Sequence, residues 1–193
     1  NLDKHIENVA KFNKTPVVAL NRFYSDTDEE IALVKQRTEY HKVYFAETNH
    51  FAEGGKGAIE LAKKVMEAAE NNQPYQPLYP LDMAIIDKIK TICKEIYGAN
   101  DVSFNKDAEK DLAHISRLKL DHLPVCIAKA PSSLSDDPSL HGRPRDFQVT
   151  VRGIQINEIF FDESILLGTK FSIHWDILRR NHPRLFNCTP NIL

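Results

Sequence analysis

Asn21, Arg22, Phe23 and Tyr24 follow directly on Val17-Val18-Ala19-Leu20, a short apolar run of strand type. Polar groups at the carboxyl end of a buried parallel strand sit at the crevice where open α/β sheets take ligands. There, Asn21 and Arg22 are suited to reading a base or a carboxylate, and Phe23 to stacking on a flat ring. The competing structural reading is a strand-to-helix loop in which Asn21 satisfies backbone groups and Phe23 closes the core. A base-reading Asn-Lys-x-Asp loop would want an acid at position 24, where Tyr24 stands.

A second string, His50-Phe51-Ala52-Glu53-Gly54-Gly55-Lys56-Gly57, also lies between a strand pattern and a helix pattern. Glycines leading into a helix offer backbone N–H groups that suit an anion, although such a run also fits a plain turn. A third stretch, 129–142, carries Lys129, Ser132, Ser133, Ser135, Asp136, Asp137 and His141. Lysine at a strand end with hydroxyls beyond it suits phosphate or substrate ordering. A solvated Ser/Asp-rich loop is the alternative.

Other chemistries lack their signatures. The chain has no Gly-x-x-x-x-Gly-Lys-Ser/Thr, His-Glu-x-x-His, Cys-x-x-Cys or Gly-x-Ser-x-Gly string, so phosphate loops, zinc cages and serine elbows gain no support. His5, His41, His114, His122, His174 and His182 are scattered, and no metal site is expected. Catalytic residues are not assigned. Lys63-Lys64 and Arg179-Arg180 read as solvated faces.

The elements that must position these strings follow from periodicity. A helical stripe at Leu2, Ile6, Val9 and Ala10 stops at Thr15-Pro16. The run Val17 to Leu20 is expected as a strand buried on both faces. Polar residues at 25–29 offer several N-caps for a helix reaching Tyr40, and Val43-Tyr44-Phe45 closes a β–α–β unit. A helix with Ala58, Leu61, Ala62, Val65 and Ala69 on one face follows the glycines. Residues 71–80, with Pro74, Pro77 and Pro80, must be extended. Ile85, Ile89, Ile92, Cys93 and Ile96 form a helical stripe ending at Gly98. A short edge strand at Val102 and Phe104, a helix over 106–118 and a buried strand over 123–128 come next. A long loop then leads to a half-buried strand at Phe147, Val149 and Val151. This alternation implies an α/β fold, layered, with a largely parallel sheet and flanking helices.

The whole is 193 residues with 42% hydrophobic and 27% charged residues, the balance of a globular protein. Its 25 Lys+Arg against 27 Asp+Glu give a net charge of −2 and no general pull toward nucleic acid or membrane. Three cysteines without metal spacing, no signal pattern and no apolar run of membrane length place it in the cytoplasm by expectation. The chain opens Asn1-Leu2-Asp3-Lys4 without Met, already in a helical pattern, and is expected to be a piece of something longer.

Taken in order, these strings resemble one family, the formate–tetrahydrofolate ligases. The resemblance is carried by Asn1-Leu2-x-Lys4-His5-Ile6-Glu7-Asn8, Pro16-Val17-Val18-Ala19 with Asn21-Arg22-Phe23, Ser25-Asp26-Thr27 and the string His50 to Ala58. It continues through Ile96-Tyr97-Gly98-Ala99, Leu123-Pro124-Val125-Cys126-Ile127-Ala128-Lys129, Ser133-Leu134-Ser135-Asp136-Asp137-Pro138 and Phe147 to Arg152, and runs to about Ile156. It implies ATP-dependent ligation of formate to tetrahydrofolate, with ATP and Mg²⁺ as substrate complex, a larger P-loop-type ligase fold and homo-oligomers.

On that resemblance, Phe23 and Phe51 clamp the folate ring, with Asn21, Arg22 and Tyr24 beside them. Gly54, Gly55, Lys129, Ser133 and Asp136 belong to active-site loops. Position 51 is usually Trp and position 24 often Pro in the family, and the usual Lys-Thr-Gln-Tyr loop reads Lys129-Ala130-Pro131-Ser132.

The expected division is 1–70, the end of a nucleotide- and folate-binding α/β domain; 71–156, a second α/β segment; and 157–193, an atypical tail. Residues from about 157 match none of the family's continuation, and a reading-frame shift or splice alternative is expected there. The family's phosphate loop belongs to an N-terminal half absent from these residues. The chain is therefore expected to bind no ATP, to be inactive alone, and to need that half as partner. The alternative is a non-catalytic folate-binding or assembly module derived from the ligase; a nucleotide-binding α/β protein of another family is disfavoured by Tyr24.

Overall fold

The computed structural model describes residues 1–71, 73–127, 134–161 and 164–171, with side chains through residue 156. The chain divides into two compact units, Asn1–Leu78 and Tyr79–Leu193.

In the first unit, α1 (Leu2–Ala10) leads to β1 (Val17–Asn21), α2 (Asp28–Tyr40) and β2 (Tyr44–Thr48). A single turn α3 (His50–Glu53), a 3-10 turn over Gly54–Ala58 and α4 (Ile59–Glu70) complete it. Of the several N-caps offered, Thr27 is the one used. Its hydroxyl accepts from the Glu30 amide while the Glu30 carboxylate accepts from the Thr27 amide, satisfying two orphan donors reciprocally. β1 and β2 pair in parallel from Val17↔Tyr44 to Asn21↔Thr48.

β1 was expected to be buried on both faces, but its residues are only half-buried or exposed. Among the described residues its sheet has two strands, each with an open edge. α4 likewise forms over the expected face yet buries no residue. Ile6, Ile31 and Ala46 are the buried hydrophobic residues of this unit, and Thr38 and Thr48 are sealed as well.

The second unit holds α5 (Ile85–Ile92), a π turn over Cys93–Tyr97, β3 (Asp101–Phe104), α6 (Lys106–Arg117), β4 (Val125–Ile127) and β5 (Gln148–Val151). β6 (Ile154–Phe161) and β7 (Ser164–Phe171) follow. The helical stripe read from the isoleucines therefore changes hydrogen-bond pattern at Cys93 before Gly98 closes it in the left-handed region. Ile89, Cys93, Ile115, Val149 and Val151 are sealed in one core. Each fully buried aliphatic there contributes about 1.5–3 kcal/mol of apolar transfer.

Among the described residues, the expected single sheet is corrected to three small ones. β1 pairs β2 and β3 pairs β5, both parallel, while β7 lies between β4 (parallel) and β6 (antiparallel). Parallel pairing thus dominates, but the strands are distributed over separate sheets, because β3 and β4 take their partners from late in the chain. The strand expected over 123–128 is shorter, with Leu123 buried ahead of it and Cys126 exposed within it. Ala128 lies outside the described residues.

Among the described residues, no helix is long and apolar enough to cross a membrane.

Candidate functional site

The last residues of β1 and β2, Asn21 and Thr48, are register partners. Because the strands run parallel, the segments after them leave from the same end of the pair. The Arg22 amide donates to the Thr48 carbonyl at 2.9 Å, extending the ladder one step. Phe23 and Phe51 are thereby brought together, with ring centroids 6.4 Å apart and planes inclined by 44°.

Phe23 is 48% and Phe51 81% exposed, so neither ring closes the core. A flat ligand held between two rings needs a gap of about 7 Å, two carbon contacts of about 3.5 Å each, and parallel planes. The pair is tilted and stands somewhat short of that separation.

Arg22 is engaged by two acids. Its Nη1 donates to Glu47 Oε1 at 2.9 Å and its Nη2 to Asp28 Oδ1 at 2.8 Å. The bond to Glu47, and then that to Asp28, raises the guanidinium above its ordinary pKa. Asn21 is exposed at the strand end, and Tyr24 extends fully into solvent. The Phe23 amide donates to Asp26 Oδ2 at 2.8 Å while the Asp26 amide donates to the Phe23 carbonyl at 3.1 Å, closing a tight turn around the ring.

The glycine string takes a definite shape. Asn49 anchors it at both ends. Its carbonyl accepts from the amides of Ala52 and Glu53, and its amide donates to the Gly57 carbonyl at 3.0 Å. Its side chain donates to Glu53 Oε1 at 2.8 Å. The Gly54 amide donates to the His50 carbonyl. Of the glycine amides expected to suit an anion, that of Gly54 is thus occupied within the turn. A Cβ on Gly57 would lie 2.5 Å from the Asn49 carbonyl atoms, while Gly54 and Gly55 have open space. Gly57 is therefore the glycine that close backbone approach requires. His50 Nδ1 sits 3.0 Å from the hydroxyl of buried Thr48, tying α3 back to β2.

Asp136 belongs to the second unit. Its Oδ2 accepts from the Thr150 amide at 3.4 Å and lies 3.8 Å from Arg152 Nη2, so its carboxylate braces β5. Lys129, Ser132 and Ser133 lie outside the described residues. Among the described residues, no three His, Cys, Asp or Glu side chains come together as a metal group.

Sequence reasoning missed Glu47 and Asp28 as partners of Arg22. Asp28 had a signal, since it opens α2 a few residues after Arg22. Glu47 had none until the strand register was known.

The comparisons with known proteins agree with one another. The family model described as formate–tetrahydrofolate ligase matches residues 1–159, slightly beyond Ile156. The chain is similar to the formate–tetrahydrofolate ligase of Thermus thermophilus, 44% identical over 155 residues, covering 80% of this chain and 28% of the relative. It is similar to that of Parabacteroides distasonis, 45% identical over 159 residues, covering 81% and 29%. The chain thus spans well under a third of the length of these curated relatives.

Proposed function

Because the chain belongs to the formate–tetrahydrofolate ligase family, we propose that it supplies the folate-binding part of an ATP-dependent ligation of formate to tetrahydrofolate. The observation that carries this reading is the exposed Phe23–Phe51 pair at the common end of β1 and β2. Exposed rings close to a stacking separation suit a flat bicyclic ligand better than a core.

The chemistry has two steps. A formate oxygen attacks the γ-phosphorus of ATP, the bond to the bridging oxygen breaks, and ADP leaves, giving formyl phosphate. The N10 nitrogen of tetrahydrofolate then attacks the formyl carbon, the carbon–oxygen bond to phosphate breaks, and N10 loses its proton. In the second step the contribution of this chain is orientation. Holding the pterin between two rings leaves N10 presented at a fixed place, and fixed placement of reactants lowers the barrier by removing their translational and rotational freedom. Asn21, Arg22 and Tyr24 border the ring slot, and Gly54 and Gly55 line the turn beside it. Lys129, Ser133 and Asp136 are assigned to active-site loops by the family reading.

Mg²⁺ is proposed to arrive with ATP as substrate complex, within a larger P-loop-type fold, and no step is assigned to a metal held by the described residues. The 193 residues contain no phosphate-loop string, and stabilising a transferring phosphoryl group needs donors placed around it. The chain by itself is therefore proposed to bind tetrahydrofolate without turnover, in a cytoplasmic setting and with the remainder of a ligase as partner. An assay of the chain with ATP, formate and tetrahydrofolate should give no formyltetrahydrofolate, while titration with tetrahydrofolate alone should give saturable binding. Turnover would overturn the first half of the reading, and absent binding the second.

A second reading is a non-catalytic folate-binding or assembly module. It is distinguished by mixing the chain with a ligase half carrying the phosphate loop: restored turnover excludes it.

A further inference from the structure

The two walls of the ring pair are held very differently. Phe51 stands on α3, a single helical turn with no buried residue, and is 81% exposed. Phe23 sits in a turn closed by hydrogen bonds to and from Asp26, immediately after Arg22. Arg22 is fastened at three points: its amide to the Thr48 carbonyl, Nη1 to Glu47 on β2, and Nη2 to Asp28 at the start of α2.

We propose that Arg22 is a positioning residue: fastened between Glu47 and Asp28, it fixes Phe23 as the stationary wall against which Phe51 turns to admit a ligand. Both outer nitrogens of the guanidinium already hold carboxylates at 2.8–2.9 Å. A ligand carboxylate, as in the glutamate tail of a folate, would find the guanidinium charge already matched by two acids and would meet the repulsion of both. Arg22 therefore acts on the pterin through Phe23. Lysine cannot replace it fully, since an ammonium lacks the forked geometry that spans two acids. Glu47 is the more shielded partner, at 39% side-chain exposure against 87% for Asp28, and has the larger share.

The proposal rests on the folate reading for its ligand but not for its geometry, and the test separates the two. The 193-residue chain and its Arg22→Met, Arg22→Lys, Glu47→Gln and Asp28→Asn variants are titrated with tetrahydrofolate and with a tetrahydropterin lacking the benzoylglutamate tail. In parallel, cross-peaks between the Phe23 and Phe51 rings are recorded by NMR without ligand.

The expected result is a loss of about two- to fivefold for Arg22→Met and Glu47→Gln, the scale of a partly exposed ion pair. The loss should be equal for both pterins, smaller for Asp28→Asn and Arg22→Lys, and accompanied by weakened ring cross-peaks. A loss confined to the tailed ligand would mean that Arg22 reads the carboxylate and would overturn the proposal. So would tighter binding by Glu47→Gln, or ring cross-peaks unchanged in Arg22→Met. If the parent chain binds neither pterin, the folate reading fails, and the ligand-free cross-peaks alone decide for or against the positioning role.

Discussion

The ring of Phe23 lies 6.4 Å from that of Phe51, with the planes 44° apart, at the shared end of two parallel strands. Tilted pairs at this separation are favourable in themselves by about 0.5–1.5 kcal/mol. The two rings thus gain from each other while staying exposed, and under the proposed folate reading a flat ligand would replace one tilted contact by two stacked ones.

The loop that carries Phe51 depends on one glycine more than on its neighbours. Gly57→Ala sets a Cβ 2.5 Å from the Asn49 backbone, whereas Gly55→Ala meets open space. The first substitution should destabilise the chain by about 1–3 kcal/mol, and the second should stay within about 0.5 kcal/mol. Thermal unfolding of both variants measures this, and equal effects would contradict the placement of Asn49 against Gly57.

Acid sensitivity should trace in part to Asp3. Arg37 donates from Nε and Nη2 to its two oxygens at 3.1 and 2.7 Å, and His41 Nε2 lies 3.0 Å away. The Arg37 bonds, aided by His41, hold its carboxyl below the ordinary value against some opposing burial. A carboxyl depressed in the folded state contributes stability above its unfolded pKa, near 4, and loses it as pH falls through the folded value. The wild-type advantage in melting temperature over Asp3→Asn should therefore be full at pH 6 and shrink below about pH 4. An advantage that persists unchanged to about pH 2 would contradict the pairing.

The two described cysteines should differ in reactivity. Burial pushes the Cys93 thiol up to about 12, while Cys126 is exposed. Since the thiolate is the nucleophile, iodoacetamide at pH 8 should label Cys126 and spare Cys93, as peptide mass mapping would read. A thiol raised in this way supports the fold below its unfolded pKa, about 8.5, and loses that support as pH rises toward about 12. Equal labelling of the two in the folded chain would contradict the packing of α5 and its π turn.

Lys88 is sealed among the isoleucines of α5, and its Nζ donates to the Asp121 carbonyl at 2.6 Å and the Leu123 carbonyl at 3.1 Å. Lys88→Met keeps the bulk and leaves both carbonyls without this donor, so a loss of about 1–3 kcal/mol is expected. Denaturant titration reads it, and an unchanged midpoint would show that the ammonium is not what anchors the approach to β4.

The meeting of the two rings of the candidate site was legible in the sequence, for a definite reason. Phe23 and Phe51 each follow a strand-type run within one β–α–β unit, and parallel pairing necessarily returns both exits to one end. The helix start near 25–29 was equally readable, with Thr27 selected by its reciprocal Glu30. What was not legible depended on distant partners. Glu47 reaches Arg22 only once the register Leu20↔Glu47 is set. Lys88 falls on the same helical face as Ile85 and Ile92, yet its burial depends on carbonyls more than thirty residues away. The turn His50–Glu53 is too short to show periodicity. Among the described residues, the single sheet expected from strand alternation gave way to three, because alternation shows which segments are strands but not which of them pair.

The most direct measurement is isothermal calorimetry of the 193-residue chain with tetrahydrofolate, set beside Phe23→Ala and Phe51→Ala. The ring clamp predicts saturable binding by the parent chain and a loss of about two- to tenfold or more for each variant, the scale of one removed stacking contact. Equal affinity in all three proteins, or no binding by the parent chain, would contradict it.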